Sequence, residues 1–164
     1  MGTRTLLMFF LLLPAALLNG QSRPNARITG QVIRILDGDT FELLTDDKKT
    51  VKIRMNGIDA PEKNQAFGQK SKDYLGSLCF RRQVAVVYTG KDRYNRVLGT
   101  AYNTAGQNIN LKMVEAGMAW HFVRYSSDGQ LAAAQRYARE QRKGLWSDPG
   151  AIAPWEFRRS RTRR

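Results

Sequence analysis

Three short stretches concentrate side chains able to do chemistry. Arg54-Met55-Asn56-Gly57-Ile58-Asp59-Ala60-Pro61-Glu62 puts one guanidinium and two carboxylates within nine residues. Asp37-Gly38-Asp39-Thr40 adds two carboxylates, and Asp92-Arg93-Tyr94-Asn95-Arg96 adds two guanidiniums and a phenol ring. Carboxylate oxygens without His or Cys partners suit a hard cation, Ca²⁺ or Mg²⁺. Guanidinium groups bind oxyanions through paired N–H bonds, which lysine does not reproduce. If the stretches converge, they hold a divalent cation and an anionic substrate together. Taken alone, the Arg54-to-Glu62 stretch reads equally as a solvated exit from a strand, since a motif match is only a hypothesis.

The elements that must position these groups follow from periodicity. Val51, Ile53 and Met55 alternate with Lys52, Arg54 and Asn56, the pattern of a half-buried strand. Gly57 stands where the phase changes, and a glycine inside a strand pattern marks a bulge. A bulge there keeps Ile58 on the apolar face and turns Asp59 to the side of Arg54. Pro61 ends the strand and stiffens the turn that carries Glu62. Upstream, Ile28 to Leu36 reads as a strand stopped by the hairpin signal Asp37-Gly38, and a second strand opens at Asp39-Thr40. The third begins at Thr50, so three strands form a meander. Residues 64–80 take helical spacing, with Phe67, Tyr74, Leu75 and Leu78 on one face. Val84 to Tyr88 and Val97 to Tyr102 return to strand, flanking a polar segment from Thr89 to Asn95. Ile109 to Ala116 reads as a short helix ended by Gly117. The last helix runs from about Asp128 to Lys143, capped by Ser127 or Asp128, with Trp146 packed beside its apolar stripe. The pattern predicts an α+β fold: a five-stranded OB-type β-barrel with about three packed α-helices, a frequent platform for nucleic acid.

Composition narrows the partner. The 164 residues suit one domain with a buried core. Twenty-seven Lys and Arg against 14 Asp and Glu give a net charge of +13, which points to a polyanion, nucleic acid before anionic membrane. His121 is the only histidine, which excludes a two-histidine mechanism and argues against zinc. It reads as structural or surface. Cys79 is the only cysteine, so an intramolecular disulfide is excluded and a buried structural thiol is expected. Residues 1–20 read as a signal peptide: Arg4 precedes an apolar run from Leu6 to Leu18, short for a membrane span of about 20 residues. A secreted or periplasmic protein without stable membrane insertion is expected. Residues 21–27 read as a flexible lead, 28–148 as the barrel domain and 149–164 as a basic tail. Five arginines follow Trp155, a run expected to be disordered when free through self-repulsion.

Taken together, the motifs resemble the staphylococcal nuclease (thermonuclease-like) family. The matching segments are Asp37-Gly38-Asp39-Thr40, Arg54 through Glu62, Arg93-Tyr94-Asn95-Arg96, Asn110 to Gly117, and Gly144-Leu145-Trp146-Ser147-Asp148, in family order over about residues 28–148. Any one is weak; the ordered set is specific. The resemblance implies an OB-type barrel with three helices and a Ca²⁺-dependent phosphodiesterase acting on DNA and RNA, leaving 3′-phosphate ends. It implies Asp39 and Asp59 as metal ligands, with the Ala60 main-chain carbonyl, and Glu62 as general base. Arg54 and Arg96 match the arginines that hold the scissile phosphate; Arg93, Tyr94 and Tyr125 fall near substrate-contact positions. A monomer is expected. Ala60 stands where the best-known member has threonine, which keeps a main-chain ligand and loses a hydroxyl. Asn95 replaces a common glycine and tolerates the left-handed conformation. Two other readings compete: a non-catalytic OB-type nucleic-acid-binding module, and a polycation that adheres to anionic surfaces through its tail. The presence of Asp39, Arg54, Asp59, Glu62 and Arg96 together favours the enzyme.

Overall fold

Alternation of apolar and polar side chains builds a barrel whose rim carries the three chemical stretches. The computed structural model describes residues 26–162. In chain order its elements are β1 (Ala26–Ile35), β2 (Thr40–Thr45), β3 (Thr50–Met55), β4 (Ile58–Asp59), α1 (Gly68–Cys79), β5 (Gln83–Lys91), β6 (Val97–Asn103), α2 (Ile109–Glu115), β7 (Trp120–His121), α3 (Gly129–Glu140) and α4 (Pro154–Thr162), with a 3₁₀ turn over Gly144–Ser147. The strands close in the order β1-β2-β3-β6-β5, and β1 returns to pair with β5. Every barrel pairing is antiparallel except β3 with β6. Among the described residues closure leaves no free edge in the barrel itself, in keeping with the OB-type expectation.

Inward positions of successive strands supply the core: Val32, Phe41, Leu43, Ile53, Met55, Val86 and Ala101 are all buried. Burying one such large side chain contributes about 1.5–3 kcal/mol against the entropy of ordering the chain. The helices cap this core with one face each. Leu75 and Cys79 of α1, Met113 and Val114 of α2, and Leu131 and Ala134 of α3 join the same cluster. Asp128 caps α3 as expected, its Oδ1 accepting from the Gln130 and Leu131 amides at 2.7 and 3.3 Å. Asn108 caps α2 by accepting from the Leu111 amide at 3.1 Å.

Four local expectations change. The chain does not bulge at Gly57. It turns there, with Gly57 at φ +75°, and leaves the barrel, so β4 joins a separate two-stranded sheet with β7. The anticipated consequences hold, since Ile58 is buried and Asp59 meets Arg54. Helix α1 starts at Gly68 and not near residue 64, because Glu62 to Phe67 form turns closed by Gln65 N–H donating to the Glu62 carbonyl. Strand β5 runs to Lys91 through an irregularity between Tyr88 and Gly90, so part of the polar Thr89–Asn95 segment is paired strand. β1 begins two residues early, Ala26 and Arg27 pairing with Tyr88 and Val87. The signal-peptide reading lies outside the described residues.

The tail differs most. Pro154–Thr162 is a helix, not a disordered run. Pro154 suits its first position. Trp155 stacks on Phe122 with ring centres 5.0 Å apart at 2°, and meets Trp120 edge-on at 5.7 Å. Arg158 is neutralised by two carboxylates. Aromatic packing and ion pairing offset the self-repulsion on which the expectation rested. No helix among the described residues is long and apolar enough to cross a membrane.

Candidate active site

The site forms where β2 and β3 meet the turn that leaves the barrel. Thr40 of β2 lies opposite Arg54 of β3, which brings Asp39, one residue earlier, against the end of β3. The Met55 amide donates to the Asp39 carbonyl at 2.8 Å and locks that register. Gly38 permits the approach of α1, because a Cβ there would lie 2.0 Å from the Ser71 hydroxyl oxygen. Asn110 of α2 holds the turn after β3. Its buried amide accepts from the Ala101 N–H at 3.0 Å and donates to the Asn56 carbonyl at 2.8 Å. Phe122 N–H donates to the Gly57 carbonyl from the other side. The turn thus has tertiary partners on both flanks, and Asp59 follows it directly.

Arg54 is the hub. Its Nη1 donates to the Met55 and Ile58 carbonyls at 2.7 and 2.9 Å. Its Nη2 lies 3.0 Å from both Asp39 Oδ2 and Asp59 Oδ1. The two terminal nitrogens of the guanidinium thus meet two carbonyls and two carboxylates. Arg54 therefore assembles the carboxylates as well as contributing charge. The Ala60 amide donates to Asp39 Oδ2 at 2.7 Å, which folds the main chain after Asp59 onto Asp39. Both aspartates are almost fully buried.

This crowding shows in the acidities. Burial, reinforced by the charge of Asp39, pushes the Asp37 carboxyl up to about 7. Burial also raises Asp59; Arg158 and Arg54 oppose the rise, while Asp39 adds to it. Four carboxylates and four arginines thus line one cavity, with Asp39 and Asp59 sharing Arg54.

The third stretch closes the cavity. Asp92 Oδ1 accepts from the Tyr94 and Arg96 amides at 2.9 and 3.0 Å, and its Oδ2 accepts from Arg96 Nε at 2.8 Å. Burial acts against the Asp92 charge, but these bonds hold its carboxyl below the usual range. Asn95 takes φ +61°, the left-handed conformation its side chain tolerates. Arg93 and Arg96 flank the exposed Tyr94 ring at 4.8 and 5.5 Å. A cavity of about 440 Å³ brings Asp39, Arg54, Asp59, Ala60, Glu62, Arg93, Tyr94, Arg96 and Tyr125 to one lining. Every site residue expected from the sequence therefore faces one space.

Asp37, Phe122 and Arg158 also line it. Asp37 belonged to a recognised motif without a role. Phe122 and Arg158 carried no local signal, since both arrive through tertiary packing. His121 is buried in β7 opposite Ile58, with neither ring nitrogen hydrogen-bonded among the described residues. It is buried and not on the surface, and it does not line the cavity.

A barrel with this site defines a class, and comparison with known proteins names it. The family model described as staphylococcal nuclease homologue matches residues 52–148. The chain is 47% identical over 133 residues to an uncharacterized endonuclease of Escherichia coli, covering 81% of this chain and 86% of that protein. It is 45% identical over 159 residues to an uncharacterized endonuclease of Haemophilus influenzae, covering 97% of this chain and 88% of that one. It is 43% identical over 145 residues to a micrococcal nuclease of Shigella flexneri, covering 82% and 83% of the two chains. The chain belongs to the staphylococcal nuclease family and is a nuclease-type hydrolase with nucleic acid as its substrate class.

Proposed function

We propose that this chain is a secreted or periplasmic, Ca²⁺-dependent, sugar-nonspecific nuclease. It acts as a monomer on DNA and RNA and leaves 3′-phosphate ends. The observation that carries the reading is the convergence of Asp39, Arg54 and Asp59 around one guanidinium nitrogen, with Glu62 and Arg96 on the same cavity.

Among the described residues no group of three or more His, Cys, Asp and Glu side chains gathers as a metal cage. Two buried carboxylates and a main-chain carbonyl still fit a hard cation that takes its remaining oxygens from water and phosphate. Asp39, Asp59 and the Ala60 carbonyl would hold it. When bound, the ion neutralises charge on the phosphoryl group and lowers the pKa of a water. Glu62 accepts the attacking water's proton at a carboxylate oxygen. Arg96 presents N–H groups to the phosphoryl oxygens, and Arg54 adds its charge while keeping both aspartates in place. Arg93, Tyr94 and Tyr125 line the strand's path, where exposed aromatic rings suit base stacking.

Purified protein should degrade plasmid DNA and RNA in Ca²⁺ and leave both intact in excess chelator. The DNA products should resist polymerase extension until phosphatase removes their 3′-phosphates. Full cleavage in chelator removes the metal assignment. DNA binding without cleavage in Ca²⁺ or Mg²⁺ turns the reading to a nucleic-acid-binding module.

A further inference from the structure

Helix α4 does more than pack. Trp155 seats it on Phe122 and Trp120, and the Gln65 side chain donates to the Ile152 carbonyl at 2.6 Å just before the helix begins. Gln65 also accepts from the Glu62 amide at 3.1 Å, so one side chain ties the helix approach to the loop that bears Glu62. This mooring delivers Arg158 to the acidic side of the cavity. Arg158 Nη2 donates to Asp59 Oδ2 at 2.7 Å, and Nη1 donates to Glu62 Oε1 at 2.6 Å and to Asp59 Oδ1 at 3.3 Å. Burial acts against its charge, but the hydrogen bonds to Asp59 and Glu62 outweigh it and hold the guanidinium firmly protonated.

We infer that Arg158 is a built-in competitor of the divalent cation: α4 places a guanidinium on the metal-ligating carboxylate and on the proton-accepting carboxylate, and cation binding must displace it. The inference rests on the reading of Asp59 as a metal ligand and Glu62 as the base. Three facts support it. Asp59 Oδ1 already accepts from both Arg54 and Arg158, and Oδ2 accepts from Arg158, so little of Asp59 is left for a cation. A guanidinium and a divalent ion on one carboxylate repel each other at contact distance. Arg158 is also the partner able to leave. Its side chain is 45% exposed, whereas that of Arg54 is 13% exposed and bound to two main-chain carbonyls besides. Arg158 therefore neutralises Glu62 and satisfies Asp59 from within the chain.

Calorimetric titration of Ca²⁺ into the full chain, without nucleic acid, tests this. R158Q should bind Ca²⁺ about three- to tenfold more tightly than the parent, the scale of a bidentate pair discounted for exposure. R158K, which keeps charge but loses the fork, should fall between them. A second readout is thermal. In chelator R158Q should melt about 2–4 °C below the parent, and saturating Ca²⁺ should close that gap, because the ion replaces Arg158 as the partner of Asp59. Equal or weaker Ca²⁺ binding by R158Q overturns the competition while leaving the metal assignment intact. Ca²⁺ binding by neither protein overturns both.

Discussion

Replacing Arg54 by lysine separates charge from geometry at the hub. Arg54 satisfies two carbonyls and two carboxylates from two nitrogens, all within 3.0 Å. Lysine has one ammonium nitrogen with three donors, so it cannot span both the Met55–Ile58 side and the Asp39–Asp59 side. At least one side is abandoned. Leaving a buried carbonyl or weakening a buried carboxylate pair costs about 1–3 kcal/mol. For a domain of this size each kcal/mol shifts Tm by about 2–4 °C, so Arg54→Lys should melt roughly 2–12 °C lower in chelator. Arg54→Gln removes the charge as well and leaves buried Asp39 without a cation while Asp59 keeps Arg158, a loss of about 3–5 kcal/mol. The catalytic effect should be larger than the structural one. Loss of one organised electrostatic donor lowers the rate about 10²–10³-fold, while equilibrium DNA affinity changes little because many other basic groups hold the backbone. Single-turnover cleavage and binding on one short DNA in Ca²⁺, with melting curves in Ca²⁺ and in chelator, measure all three quantities. A rate within tenfold of the parent for Arg54→Lys refutes the hub. So does a loss of affinity equal to the loss of rate, which would mark Arg54 as a general binding residue.

Two further outcomes test the framework around the site. Asn110→Ala removes the partner of the buried Ala101 amide and of the Asn56 carbonyl, so stability should fall by about 2–4 kcal/mol in denaturant titration; the rate should drop with it, because the turn aims Asp59, and unchanged cleavage would show that the turn holds itself. Cys79 is fully buried and its thiol is pushed up to about 12 by burial, so a thiol reagent at neutral pH should leave the native chain unlabelled and label it fully in guanidinium chloride; rapid native labelling would place Cys79 outside the core.

Much of this site is written in short-range pattern. The Asp37-Gly38 turn, the alternation through Val51, Ile53 and Met55, the Asp128 cap and the left-handed Asn95 depend on a few neighbouring residues, and the structure contains each of them. The residue types also point to the chemistry proposed for the site, since carboxylates without histidine or cysteine partners suit a hard cation and arginines suit phosphate. Other features depended on partners distant in sequence. Gly57 turns out of the barrel and does not bulge within it, because Asn110 and Phe122 hold its flanks and β7 accepts β4. Arg54 acts as an assembler because Asp39, two carbonyls and Asp59 close on it together. Arg158, Arg159 and Arg161 enter a helix because Trp155 finds Phe122 across the chain, and Arg158 meets Asp59 and Glu62 at sequence separations of 99 and 96 residues. Periodicity and turn chemistry act over one to four residues and are legible in a string. The neutralisation of a buried carboxylate depends on which cation the packed chain brings beside it, and only the tertiary structure decides that.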